Sequence, residues 1–346
     1  MCNIAGYAGE KRAAPILIEM IRKQQFFDGG LSTGIATISD GKLYTAKVLG
    51  NVDDLIKKTN ALNFPGTVGI IHSRPDDDFL VNAHPFLAEE NKTALVENGV
   101  FLKEENLVKK RDDIVKMLLE AGIEFPSAKI TERPGGNPVL PDGRCISYDD
   151  SYIGYVEYLR KNGTEDYMDA MTKASTDLFS DSVYLLVTEN VPDSIFVSRM
   201  TRPMNIMKKE DGCYLATSQL AFSDWEQAEY IKSLPEMKTV KVTKDGFEES
   251  KKDIKGATVV DFSEEEYKEI REQIREKLKK APVALDGLGG GIYVKNSSLE
   301  RVRPNVKASY DALWEFEKEG ILKRYDKESE FSWMPGKKVM KTFFYI

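Results

Sequence analysis

The chain has 346 residues, of which 41% are hydrophobic and 30% are charged, and its formal net charge is -7. A length of this order predicts about two domains and allows a sizeable buried core. The composition excludes disordered, collagenous and disulfide-scaffold proteins, because apolar residues are frequent and no tract is compositionally monotonous.

The sequence contains neither a membrane-span pattern of ~18 uncharged apolar residues nor a secretory signal pattern, so we expect a cytoplasmic protein with no membrane contact. Its three cysteines, Cys2, Cys145 and Cys213, lack metal-ligand spacing, which argues against a disulfide framework and a zinc site. His72 and His84 are the only histidines, too few for a His-rich metal site. We therefore expect no metal and no cofactor.

The first hundred residues are predicted to be rich in strands. The opening residues 1–7 are predicted as a strand, and residues 14–26 as a helix that ends before Asp28. Four short β-type segments follow, with Ser39-Asp40-Gly41 as a hairpin turn between the first two: residues 34–38, 42–46, 67–71 and 94–96.

The middle of the chain changes from helices back to strands. Helices are predicted at residues 105–122, 151–162 and 164–178, and a surface loop or flap at residues 126–143. Strands are predicted at residues 182–187, 194–197, 205–207 and 212–216. This order of sheet, helices and sheet suggests two layers of each.

The composition shifts near residue 261, where Ser263 and Glu266 predict a capping box that opens a charged helix. We place a boundary here, between a domain of residues 1–260 and a region of residues 261–346. A helix at 305–319 and a hairpin at 321–346 look like a winged-helix pattern, and residues 287–291 are interpreted as a flexible linker. A packing or dimerisation appendage is favoured over nucleic-acid binding, because residues 282–346 have 11 Lys and Arg against 9 Asp and Glu.

Cys2 is the first residue with a chemical interpretation. Removal of Met1 would leave a thiol and a free α-amine on one residue. The amine, with an unperturbed pKa near ~7.7, can accept the thiol proton, so such an enzyme needs no histidine. The competing interpretation is a buried cysteine of the first strand without a catalytic role.

Further motifs follow the opening segment in a fixed order: Gly69-Ile70-Ile71-His72-Ser73-Arg74, Asn82-Ala83-His84-Pro85-Phe86, Ala94-Leu95-Val96-Glu97-Asn98-Gly99-Val100, Ser147-Tyr148-Asp149-Asp150-Ser151-Tyr152-Ile153 and Leu215-Ala216-Thr217-Ser218-Gln219-Leu220-Ala221-Phe222. Across about residues 2–225 the chain resembles class II glutamine amidotransferases. The resemblance implies an α+β fold, a four-layer αββα sandwich of the N-terminal-nucleophile (Ntn) hydrolase type, followed by a small C-terminal α/β appendage.

The resemblance also implies a role for each of five residues. Cys2 would attack the side-chain amide of glutamine, form a thioester and release ammonia. The Asn98 side-chain amide and the Gly99 backbone N–H would form the oxyanion hole. Arg74 would hold the substrate α-carboxylate, and Asp149 would hold its α-ammonium.

Each of these residues also has a structural interpretation. Asn98-Gly99 is a common turn pair, Arg74 suits an ion pair, and Asp149 suits a helix cap. We favour one shared site, because all four accompany a cysteine at position 2. The two histidines are interpreted as structural hydrogen-bonding residues.

The chain departs from the family pattern at three places, and two of them, Asp28 and Asp76-Asp77-Asp78, favour a competing hypothesis, a regulatory or scaffold module that keeps the fold and pocket without turnover. Asn3 stands where the family has Gly, and Asp28 stands where it has Arg. The pocket segment that in the family carries Trp, Thr and His is here Arg74-Pro75-Asp76-Asp77-Asp78-Phe79.

The acceptor domains of two-part members of this family have no counterpart in residues 226–346. We therefore expect glutamine or a related amide as the substrate and an ammonia acceptor on a separate chain. A homodimer is a further hypothesis, and we expect no nucleic-acid partner.

Overall fold

The computed structural model describes residues 2–75, 79–100, 102, 104–130, 137–164, 166–288, 301–302, 305–331 and 334–346. Several features singled out in the sequence lie outside these residues: Met1, the acidic run Asp76-Asp77-Asp78, residues 131–136 of the predicted flap and residues 289–291 of the predicted linker.

Two large antiparallel sheets and five helices form the N-terminal part. The strands are β1 (Asn3–Gly9), β2 (Ser32–Ser39), β3 (Lys42–Leu49), β4 (Val68–Arg74), β5 (Phe86–Ala88), β6 (Thr93–Val100), β7 (Asp181–Thr188), β8 (Val191–Arg199), β9 (Asn205–Lys209), β10 (Gly212–Ala216), β11 (Tyr230–Ser233), β12 (Lys238–Thr243) and β13 (Gly246–Asp253). The helices are α1 (Ala13–Gln24), α2 (Val52–Lys58), α3 (Glu105–Glu120), α4 (Tyr148–Lys161) and α5 (Tyr167–Asp177).

The strand order is β11-β9-β10-β1-β4-β2-β3 in the first sheet and β13-β12-β8-β7-β6-β5 in the second. Strand β1 is central, paired antiparallel with β10 and β4, because its small residues permit close backbone approach on both sides. Strand β6 lies between β7 and β5.

Side chains alternate between the two faces of each strand, and this alternation explains the four layers of the fold. On β1, Ile4 and Ala8 pack against residues of the second sheet such as Leu185, whereas Ala5 and Tyr7 pack against α1. Helices α3, α4 and α5 cover the outer face of the second sheet. Each sheet therefore buries one face on its partner and the other on helices, which is the predicted αββα sandwich.

Several local predictions need correction. Asn98 and Gly99 do not form a turn, because they lie inside β6 opposite Val183 and Ser182. Gly287 lies in a short helix rather than in a linker. The hairpin of β12 and β13 was not predicted; Lys244 and Asp245 form its two-residue loop, between the paired residues Thr243 and Gly246.

The C-terminal elements are β14 (Thr258–Val259), α6 (Glu264–Lys280), β15 (Val283–Ala284), α7 (Leu285–Leu288), β16 (Arg301–Val302), α8 (Asn305–Lys318), β17 (Lys323–Phe331) and β18 (Met334–Tyr345). Helix α6 begins with the predicted capping box, in which Ser263 and Glu266 each bind the other's backbone N–H. Strands β15, β18 and β17 form a small sheet. None of the described helices has the length and apolar character that a membrane crossing requires.

Helix α8 joins this region to the N-terminal domain. Its buried residues Leu313 and Phe316 share one apolar core with Ile274 of α6 and with Phe27 and Leu220 of the N-terminal domain. The elements follow the order α6, β15, α7, β16, α8, β17 and β18, and the winged-helix pattern stays a prediction. Because α8 uses its apolar face for packing, the observed contacts favour the appendage interpretation.

Candidate active site

Cys2 lies immediately before β1, at the end of the first sheet that faces β6 of the second sheet. Its backbone nitrogen donates a hydrogen bond to Asn98 Oδ1 at 3.0 Å. This bond joins residues 96 positions apart. The sandwich therefore brings the start of the chain onto the Asn-Gly motif.

Asn98 is fully buried, and only one half of its amide is satisfied. The oxygen accepts from Cys2, while Nδ2 has no hydrogen-bond partner among the described residues. A buried amide N–H without a partner is costly, so such a group is a strong candidate for binding a ligand. The side chain thus offers an unused donor next to Cys2.

Gly99 permits close packing at the next position. A Cβ at this residue would collide with the Ser182 side chain and with Glu97 Oε1. No other residue fits here without moving both neighbours. The requirement for Gly is therefore a matter of space, since Gly99 lies in a regular strand.

Arg74 ends β4, the strand beside β1. Its Nη1 donates to the backbone oxygen of Asn82 at 2.5 Å. Its positive charge lowers the pKa of the Cys2 thiol and counters the burial that raises the pKa of Asp149. The guanidinium is therefore close to both groups, as one shared site requires.

Asp149 lies in the first turn of α4 and is buried. Ser147 Oγ donates to its Oδ2 at 3.4 Å, and His84 Nε2 lies 3.3 Å from the same oxygen. Burial raises the pKa of Asp149 to about 6, and Arg74 opposes that rise. The residue that precedes α4 as its N-cap is Ser147, so the alternative of Asp149 as the helix cap is wrong.

The two histidines behave differently from each other. His72 Nε2 lies 2.9 Å from the backbone oxygen of Glu97, as expected for a structural hydrogen bond. His84 stacks on His72 with ring centroids 4.0 Å apart, but neither of its nitrogens has a hydrogen-bond partner among the described residues. Burial lowers the pKa of both rings well below the usual value, so both are neutral. His84 Nε2 instead lies 3.3 Å from Asp149 Oδ2, so its polar contact is with a carboxylate rather than with the backbone.

Glu97 is the buried charged residue that the sequence analysis missed. Its Oε1 has no hydrogen-bond partner among the described residues. Burial and the charge of Asp149 raise the pKa of Glu97 well above its usual value. Strand alternation could have identified it, because Leu95 of the same strand packs on the helix layer whereas Val96 packs between the sheets. Glu97 therefore faces α4 rather than solvent.

The Cys2 thiol requires a base to become reactive. Burial raises its pKa to about 12, and the charges of Glu97 and Asp149 act in the same direction. Since both histidines are neutral and His72 already contacts a backbone oxygen, the ring nitrogens are poorly placed for this role. The α-amine that removal of Met1 would leave on Cys2 is the candidate base that the chain itself supplies.

Two departures from the family pattern lie beside the start of β1. Asn3 is fully buried, and neither atom of its amide has a hydrogen-bond partner among the described residues. Asp28 is also buried, in the segment after α1. Gln24 links this segment to β1, because its Nε2 donates to the Ile4 backbone oxygen at 3.2 Å.

The C-terminal region contacts the same segment. The backbone nitrogen of Thr342 donates to the Phe26 oxygen at 2.8 Å. The Phe27 ring lies 5.1 Å from the Phe344 ring and 6.5 Å from the Tyr310 ring. Sequence reasoning missed these residues, because no local motif indicates which aromatic side chains meet across two domains.

No family model matches the chain. Among curated proteins it is similar to isomerizing glutamine–fructose-6-phosphate aminotransferases. The protein from Clostridium acetobutylicum is 29% identical over 223 residues, which are 63% of this chain and 31% of that protein. The Clostridium tetani protein is 29% identical over 264 residues, 74% of this chain and 38% of that protein. The Pyrococcus horikoshii protein is 36% identical over 138 residues, 38% of this chain and 21% of that protein. The chain thus matches well under half the length of these relatives.

Two solved structures share the fold. Glutamine phosphoribosylpyrophosphate amidotransferase from B. subtilis superposes with a TM-score of 0.58 and 17% identity, covering 83% of this chain and 55% of that chain. A structure described as the allosteric regulatory enzyme of purine biosynthesis gives 0.57 and 16%, covering 90% and 63%. The resemblance to class II glutamine amidotransferases is confirmed. The Ntn-hydrolase αββα sandwich is likewise confirmed for this amidotransferase-like chain.

Proposed function

We propose that this chain hydrolyses the side-chain amide of glutamine, with Cys2 as the nucleophile, and supplies the ammonia to an acceptor on a separate chain. The observation that carries the proposal is the hydrogen bond from the Cys2 nitrogen to Asn98 Oδ1, which leaves Asn98 Nδ2 without a partner beside the cysteine. The amidotransferase relatives give independent support.

The first half of the reaction forms a thioester. Once Met1 is removed, the Cys2 nitrogen is an α-amine that can take the thiol proton. The sulfur attacks the amide carbon of glutamine, and the carbonyl oxygen becomes an oxyanion. Asn98 Nδ2 and the Gly99 N–H are placed in our proposal to bind that oxygen. The tetrahedral intermediate then expels ammonia, which carries away the proton held by the amine.

The second half regenerates the enzyme. Water attacks the thioester carbon while the α-amine accepts a proton from it, and the same two donors bind the second oxyanion. The carbon–sulfur bond breaks, glutamate leaves, and the thiol recovers its proton. No cofactor takes part in these steps.

Selection of a free amino acid is proposed for Arg74 and Asp149. A guanidinium can bind the substrate α-carboxylate with two parallel hydrogen bonds, and a carboxylate can bind its α-ammonium. Arg74 opposes the rise that burial causes in the pKa of Asp149, which supports the closeness of the two side chains. Bound substrate would contribute the opposite charge to each of these two groups.

Delivery to a separate acceptor rests on the structure of the C-terminal region. The Clostridium acetobutylicum aminotransferase extends well beyond the 31% of its length that matches this chain. In the described residues after α6, the elements build a three-stranded sheet that packs on the N-terminal domain. We therefore assign the acceptor chemistry to a partner rather than to this region.

Intact mass combined with alkylation by 6-diazo-5-oxo-norleucine, a glutamine analogue, tests the nucleophile. We expect loss of Met1 and one covalent adduct that is absent from Cys2→Ala. Cys145→Ala is the matched control, because Cys145 is a buried free cysteine elsewhere in the fold and its loss should leave the adduct unchanged. A retained Met1 together with no adduct would rule out the mechanism and support the binding-module hypothesis.

A further inference from the structure

Three buried side chains with metal-binding atoms converge beside the proposed glutamine site. His84 precedes β5, Glu97 belongs to β6, and Asp149 begins α4. One ligand atom from each lies within 4.8 Å of the others. All three residues are at most 4% exposed, so this is not a group of solvated surface acids.

These side chains have unused ligand atoms. Among the described residues, His84 Nδ1, Glu97 Oε1 and Asp149 Oδ1 have no hydrogen-bond partner, and His84 Nε2 contacts Asp149 Oδ2, another member of the same group. Buried polar atoms are almost always paired, so several unpaired atoms in one small space indicate that a ligand is bound there. The same atoms are the usual donors to Zn²⁺.

The spacing of the donors suits a tetrahedral ion. His84 Nε2 lies 3.3 Å from Asp149 Oδ2. In a tetrahedral zinc site with bonds of about 2.0–2.1 Å, two ligand atoms are separated by about 3.3 Å. The pair is therefore at the distance that a shared ion would impose. The ring of His84 packs against that of His72, tilted by 36° with the centroids 4.0 Å apart, which restricts the orientation of the ligand ring.

The local charge also favours a cation. Two carboxylates, Glu97 and Asp149, share a buried space, and their mutual repulsion is opposed by Arg74. A divalent ion would neutralise both carboxylates directly and would use the neutral imidazole of His84 as its third ligand. Mg²⁺ fits less well, because it prefers six oxygen ligands.

We propose that His84, Glu97 and Asp149 form a binding site for a divalent transition metal of the zinc class, which competes with the α-ammonium of the amino-acid substrate for Asp149. The competition rests on the proposed function, whereas metal binding stands on the geometry alone. The sequence analysis expected no metal, because ligands at positions 84, 97 and 149 have no recognisable spacing and are united only by the fold.

Cobalt titration of the chelator-treated native chain tests the site, because tetrahedral Co²⁺ has strong visible absorption. We expect one equivalent of tetrahedral Co²⁺, displaced by Zn²⁺. Glu97→Gln, which keeps the shape of the side chain, should weaken binding by more than the ~10–100-fold that follows loss of an outer-sphere partner. Glu157→Gln is the matched control, because Glu157 is an equally buried glutamate of α4 whose Oε1 accepts from Tyr167. It should bind Co²⁺ as the native chain does.

His84→Gln is a second ligand variant, and circular dichroism establishes that each variant is folded. Absence of the cobalt spectrum in the native chain would overturn the site, and so would equal binding by Glu97→Gln and the native chain. Competition is tested separately: Zn²⁺ should slow alkylation of Cys2 in the native chain but not in Glu97→Gln. Alkylation without metal binding refutes only the metal site, whereas metal binding without alkylation refutes the proposed glutaminase.

Discussion

At the scale of single residues, the two polar atoms of the Asn98 side-chain amide have different roles. Its oxygen holds the Cys2 nitrogen, and its Nδ2 is available to the substrate oxygen. We expect Asn98→Ala to lower kcat for ammonia release by ~10²–10³, the typical cost of losing one oxyanion donor. Steady-state assays with glutamine measure the effect, and KM should change much less than kcat.

A matched variant separates this effect from loss of packing. Asn205 is also buried, but its Nδ2 donates to the backbone oxygen of Thr217 at 3.1 Å in the first sheet. Asn205→Ala should reduce the free energy of unfolding without a comparable loss of kcat. If both variants lost activity equally, Asn98 would be a structural residue and the oxyanion assignment would be wrong.

Glu157 makes the stability of the fold depend on pH. Burial raises its pKa from 4.5 to about 7, Glu89 adds to the rise, and Thr93, Tyr167 and Arg160 oppose it. The folded chain therefore retains a proton that the unfolded chain loses, so this residue's contribution to stability falls as the pH rises from about 4.5 to 7. At 1.36 kcal/mol per pH unit the total is at most about 3–4 kcal/mol.

Glu157→Gln tests this dependence, because an amide does not ionise. The free energy of unfolding of the variant should exceed that of the native chain increasingly as the pH rises through this range, and the difference should level off above it. Urea unfolding at a series of pH values measures the difference. A difference that stays constant with pH would show that Glu157 is ionised in the folded chain.

At the scale of elements, local chemistry explains which parts could be predicted. The hairpin of β2 and β3 was recognisable from its turn, in which Asp40 and Gly41 both adopt positive φ. The start of α6 was recognisable from Ser263 and Glu266, because a capping box depends on residues three positions apart. Signals of this kind require no knowledge of the rest of the chain.

Elements whose interpretation depends on distant partners were harder to predict. Asn98-Gly99 has the composition of a turn, yet eight residue pairs with β7 hold this segment as a full strand. Tertiary pairing overrides local preference here, as it often does for strands. The candidate site depends on this strand, because the side chains of a strand alternate between its two faces. Asn98 therefore points toward Cys2, and Glu97 points toward α4.

At the scale of the whole molecule, the candidate site is an assembly of five separate parts of the chain. Cys2, Arg74, Asn98 and Asp149 could be proposed from sequence because family motifs mark them. Glu97 could not, because its importance comes from burial beside Asp149 rather than from a motif. The contacts between the two domains could not be predicted from the sequence either. They depend on which apolar surfaces meet in the folded chain, and no local motif encodes that.

Those contacts predict that the C-terminal region supports the site as well as the fold. Phe344 is fully buried, and its ring packs on Phe27, in the segment that Gln24 links to β1. We expect Phe344→Ala to cost about 3–5 kcal/mol of unfolding free energy and to slow alkylation of Cys2. Chemical denaturation and the rate of adduct formation are the two measurements.

Phe343→Ala is the control from the adjacent position. Its ring stacks on Tyr325 within the β17–β18 hairpin, with centroids 5.7 Å apart, on the opposite face of β18. It should lower stability but leave the rate of Cys2 alkylation close to that of the native chain, provided that labelling is performed where both variants remain folded. Of the two rings, it is that of Phe344 that packs on Phe27, in the segment that reaches β1. Equal rates of Cys2 alkylation in the two variants would therefore mean that the C-terminal region packs on the glutaminase domain without supporting its site.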